Sequence, residues 1–151
     1  MSVNREDVLS ALRPDEPNYP DAAQHLGAEA APILAELVQA DDVELAAKAA
    51  SLAGFLSSES ARAALERAAI HQDPVVRVAA AASLQRHPKL AGELIGRLLT
   101  DPDLGVRKWT LRSLQAVKPH GLRGQVEALA STEQVPALRE LAHRIAEQLP
   151  S

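Results

Sequence analysis

Four stretches of this 151-residue chain repeat one another about every 31 residues, and that recurrence limits its folds more than any other feature. Leu45, Val76, Val106 and Leu138 are equivalent points, separated by 31, 30 and 32 residues. From each, apolar or small residues recur mostly three, four, seven and eight places on, the spacing of one helical stripe. Lys48 and Thr110 fit least well. Three residues before the reference stands Asp42, Asp73 or Asp103, where a carboxylate can accept the free N–H groups of a helix's first turn. The fourth unit has Val135 at that place, so its cap is weaker or made differently. One residue after the reference stands Arg77, Arg107 or Arg139. These arginines flank the buried stripe and are expected to reach an acidic or carbonyl group of a neighbouring unit.

A second apolar set precedes each stripe at fixed offsets. Ile33, Leu34, Leu37 and Val38 lie before Leu45 as Leu94, Ile95, Leu98 and Leu99 lie before Val106. Each unit therefore reads as helix, tight turn, helix, then a break at 54–60, 87–88 or 118–121. Ala and Leu number 29 and 22, against 18 for Val, Ile and Thr together, a balance that favours helix over strand. With one Trp, Tyr, Phe and Met each, a core must be built from many small contacts. The expected organisation is one domain over 1–151. An irregular cap covers 1–27, and units cover about 28–56, 58–87, 88–118 and 120–149. In the cap, Asn4 to Leu12 reads as a short helix, and Asp21 to Leu26 as a second one ending at Gly27.

The segment Asp73-Pro74-Val75-Val76-Arg77-Val78-Ala79-Ala80-Ala81-Ala82-Ser83-Leu84 resembles the HEAT-like repeats of bacterial proteins, including the short type in phycobilin lyase subunits. That resemblance covers about residues 28–149 and implies an all-α fold, an α-α superhelix of armadillo/HEAT type made of antiparallel helix pairs. It implies a protein-interaction or scaffold role first. Two other roles occur among HEAT-like proteins: nucleic-acid binding of the DNA glycosylase kind, and handling of a bilin. For the second of these three, residues 86–123 hold eight basic and three acidic residues, but the acidic total and scarcity of aromatics oppose it.

No phosphate-binding glycine loop, zinc-protease motif or nucleophile elbow is present. There is no Cys, and the histidines at 25, 71, 87, 120 and 143 share no face at ligand spacing. Asp101 and Asp103 read as turn and cap residues. Neither catalysis nor a cofactor or metal is expected. Residues 1–7 lack an apolar core of signal-peptide length, and no run could span a bilayer, so a cytoplasmic protein is expected. Residues 1–44 hold 10 acids and 2 bases, a balance of −8; the remainder hold 10 acids and 14 bases, a balance of +4.

On a helical wheel, places two, five, six and nine after the reference point away from the stripe. They form the candidate partner-binding surface, the concave side in the resemblance: Val78, Ala81 and Gln85, then Lys108, Leu111, Arg112 and Gln115, then Glu140, His143 and Arg144. Its first half, which also holds Ala47, Ala50, Ser51 and Gly54, is small and apolar; its second half is charged. A protein or peptide partner is expected, with the chain itself a monomer or weak oligomer. Trp109 takes the place of Ala79 and Leu141 and is read as structural, a bulky filler between units, with an exposed anchor as the other reading.

Overall fold

A computed structural model describes residues 2–151, apart from the side chains of residues 88–91 and 93. The chain is all-helical. Ten α-helices follow one another among the described residues: α1 (Arg5–Leu12), α2 (Tyr19–Leu26), α3 (Ala31–Leu37), α4 (Val43–Ala53), α5 (Glu59–Ala69), α6 (Pro74–Ser83), α7 (Pro88–Leu99), α8 (Leu104–Val117), α9 (Arg123–Thr132) and α10 (Pro136–Gln148). Short 3₁₀ turns occupy Ala28–Ala30 and Leu84–Arg86. Among the described residues no helix is long and apolar enough to cross a membrane.

The helix starts follow from local chemistry. Asp42, Asp73 and Asp103 each accept a first-turn N–H, from Leu45, Val75 and Val106 respectively, at 3.2, 2.9 and 3.0 Å. Each such cap contributes on the order of 1 kcal/mol. Asn4 closes a capping box with Asp7 ahead of α1. The second short helix begins two residues earlier than expected, at Tyr19. Asn18 accepts the Asp21 N–H at 3.1 Å, and Pro20 sits in the first turn, where its missing N–H costs nothing. Lys118 ends α8 in the left-handed region, at φ 51°.

Contacts run in two rows. The helices α3, α5, α7 and α9 touch in series, and so do α4, α6, α8 and α10. Each member of the first row also packs on its successor in the second. Ahead of α4, α2 extends the second row. Small side chains let the second row close tightly. Gly54, at the end of α4, is so near α6 that a Cβ there would lie 2.7 Å from Ser83 Cβ. Ser113 of α8 donates to Ala81 O of α6 at 2.6 Å. Across the row, Tyr19 stacks on Phe55 at 6.4 Å, and the Arg86 guanidinium lies 3.9 Å from the same ring.

Two misfits to the stripe are resolved here. Thr110 is fully buried, its hydroxyl donating to Val106 O at 2.7 Å. Lys48 is half-buried, and its ammonium ties the α1–α2 connection down through Leu12 O and Pro14 O at 3.2 and 2.7 Å.

The buried stripe itself is rotated from the expected one. In α6 the buried positions are Val76, Ala80, Ala81, Ser83 and Leu84, and in α8 Val106, Thr110, Leu111, Ser113 and Leu114. The fifth place after the reference is thus buried and the third is not. A second helix is covered by its own first helix and also by the next second helix. That further neighbour extends the buried arc towards place five. Ala50, Ala81 and Leu111 are fully buried there, and Gly54 at place nine is buried as well. Only in α10 is place five exposed, at His143.

Candidate functional site

Two arginines join successive units in one geometry. Arg77 donates through Nε and Nη2 to both oxygens of Asp101, at 2.8 and 3.1 Å. Its Nη1 holds His71 O and Gln72 O in its own turn, at 2.8 and 2.9 Å. Arg107 repeats this one unit later, with Nε and Nη2 on Glu133 at 2.8 and 3.1 Å and Nη1 on Asp101 O and Pro102 O. Both carboxylates are nearly enclosed, with side-chain exposures of 6% and 2%. Fully satisfied, bidentate pairs of this kind fix the register between neighbours. Each carboxylate also accepts the backbone N–H two residues on, of Asp103 or Val135. The start of α10 has no side-chain cap at Val135, and Asp101 does more than shape a turn. Hydrogen bonds from Arg107 hold the Glu133 carboxyl below its usual range, against the opposing effect of burial. Arg139, at the third such position, reaches only Glu133 O among the described residues, at 3.5 Å.

The proposed binding surface divides under this geometry. Ala81 and Leu111 are buried between helices and cannot face a partner. Val78 is half-buried against the turn of α8, 3.5 Å from where a Gly105 Cβ would stand. Gln115 is half-buried, and Gln85 is exposed but bonded to Ala82 O of its own turn. Lys108, Arg112, Glu140, His143 and Arg144 are exposed. Trp109 is 41% exposed, so it is no core filler; it lies on the open arc, since place three is free in α8.

Three of these residues meet at one groove, which opens between α8 and α10 with a volume of about 340 Å³. Leu104, Lys108 and Arg112 line it from α8; Val135, Ala137, Leu138, Leu141 and Arg144 line it from the α10 side. Its cause is legible in the unit alignment. Places two and six are Ala47 and Ser51 in α4, Val78 and Ala82 in α6, but Lys108 and Arg112 in α8. Small side chains let α6 close on α4 and α8 on α6. Long, charged ones keep α10 from closing on α8 in the same way, because packing their heads away would strip their hydration. The result is an apolar floor with a rim of three cations. Leu104, 43% exposed, extends that floor to the surface. Sequence reasoning placed the cations and read Leu138 and Leu141 as buried stripe residues, which they are, but it did not foresee that Leu104 and Ala137 would be exposed beside them.

Among the described residues no three His, Asp or Glu are grouped to hold a metal ion. Fold and groove together define an all-helical protein with a cation-rimmed apolar trough between two of its helices. No protein-family model and no curated protein matches the chain.

Proposed function

We propose that the chain is a non-catalytic protein-interaction module of armadillo/HEAT type. Its helix pairs progress as a superhelix, and its concave side binds an acidic amphipathic segment of a partner protein. The two rows of serial contacts support the architecture. One observation carries the function: α8 and α10 part where Lys108 and Arg112 replace small residues, leaving a trough with Leu104 and Ala137 exposed, Leu138 and Leu141 buried at its base, and Lys108, Arg112 and Arg144 around it. An apolar floor favours the leucine face of a helix laid in a groove, and the cations favour flanking carboxylates over basic ones.

Trp109 is the single tryptophan and lies on α8, so its fluorescence reports on this surface. Titration with a helical peptide bearing leucines at helical spacing and glutamates between them is expected to give saturable binding that weakens with salt. The same peptide with lysines for glutamates is expected not to bind. Leu104→Asp and Arg112→Glu, both at exposed positions, should each weaken binding about tenfold or more, a cost of roughly 1.4 kcal/mol. Equal binding of both peptides, or indifference to both substitutions, would refute the assignment. So would tighter binding of a DNA oligonucleotide than of the acidic peptide.

A further inference from the structure

The arginine–carboxylate series has two unmatched halves, one near each end of the second row. At the far end, Arg139 uses the same Nη1 contact as its predecessors, to a carbonyl of its own turn. Its Nε and Nη2, the edge that grips Asp101 and Glu133 in the other two units, meet no acceptor among the described residues. At the near end, Glu16 is exposed and makes no hydrogen bond or ion pair among the described residues. Its position is telling. Asp101 and Glu133 each stand two residues before the residue that caps or opens a second helix, Asp103 and Val135. Glu16 stands two before Asn18, the cap of α2, and Glu16-Pro17-Asn18 parallels Asp101-Pro102-Asp103. Among the described residues no arginine serves it.

We propose that Arg139 of one copy grips Glu16 of a second copy, so that molecules associate head to tail with the register used inside the chain. Three further observations fit that occupant. The head belongs to the segment of balance −8, which favours approach of the remainder, at +4. Pro20 and Gln24 are exposed on α2 and uncharged, so they set no like charge against the tail. The tail face of α10 is polar, with Glu140, His143 and Glu147 exposed, so the contact is reversible rather than obligate. Such a contact joins different surfaces of the two copies and gives open chains or rings rather than a symmetric dimer.

Sedimentation velocity on the whole chain tests this at low salt, up to on the order of 1 mM protein, the range of a weak contact. Wild-type protein is expected to gain mean mass with concentration. Arg139→Glu and Glu16→Arg should each weaken association about tenfold or more, because each sets like charges together. An equal mixture of the two single variants should associate again, as should the double variant, since opposite charges then meet at every junction. Circular dichroism checks that these surface substitutions leave the helices intact. A constant monomer mass across the range would overturn the proposal, as would association indifferent to both single changes, or a double variant that stays monomeric. The groove is a separate surface. If Lys108→Glu with Arg112→Glu abolishes association while Arg139→Glu does not, the contact lies in the groove and this proposal fails independently of the peptide reading.

Discussion

Arg107 and Arg139 hold the same place in successive units, yet their side chains have unlike surroundings. Arg107 is locked to a carboxylate only 2% exposed, whereas Arg139 is exposed and holds one long contact. Arg107→Met strands Glu133 in the interface and is expected to cost about 2–4 kcal/mol by urea denaturation. Arg139→Met in dilute monomer should change stability by no more than about 0.5 kcal/mol. Equal costs would mean that the ladder is ornamental. The pair also has a pH signature. Glu133 titrates below its usual 4.5 in the fold, so between 4.5 and that lower value the unfolded chain binds more protons than the folded one. Stability from this pair is therefore full above 4.5 and fades as pH falls through the folded value. The gap between wild type and Arg107→Met should accordingly shrink over that window and stay constant at neutral pH. Arg77 and Arg107 were conspicuous in the sequence because they recur at one place. Glu133 was not, because its neighbour Val135 breaks the capping pattern and Glu replaces Asp; only alignment of the two turns reveals it.

Single helices were readable at their starts and less so on their flanks. Caps depend on residues within one turn, so Asp42, Asp73 and Asp103 announced α4, α6 and α8. Burial of place five depends on a helix some thirty residues away, which no wheel drawn for one helix contains. That is why Ala81 and Leu111 were assigned to the open face while Trp109 was assigned to the interior. Spacing between elements adds a further constraint, at Gly54. A methyl group there meets the Cβ of Ser83, which cannot swing aside as a longer side chain's end can. Gly54→Ala should therefore destabilise by about 1–3 kcal/mol, despite the better helix propensity of alanine. The second change Ser83→Gly removes the Cβ and Oγ that stand in the way and should recover part of the loss in a double-mutant cycle. Additive effects in that cycle would show that α4 and α6 are not in such close contact.

At the scale of the molecule, one physical contrast organises the second row: small residues at places two and six bring helices together, and charged ones keep them apart. The charged half of the surface was visible in the sequence, but its consequence was not, because a groove depends on what faces Lys108 and Arg112 from α10. The contrast makes its own test. Lys108→Val with Arg112→Ala places on α8 the residues that α6 carries as Val78 and Ala82. Freed of two hydrated heads, α10 is expected to settle onto α8 and cover Leu104, Val135 and Ala137, the groove residues still open to solvent. Burial of that floor should raise stability by on the order of 1 kcal/mol, seen as a higher urea midpoint. Affinity for the acidic peptide should fall at the same time, because the trough and two of its three cations are gone. A binding surface that is held open against the fold's own packing must trade stability for function in this way. If the substitutions leave the urea midpoint unchanged or lower it, the two side chains are not what keeps the helices apart.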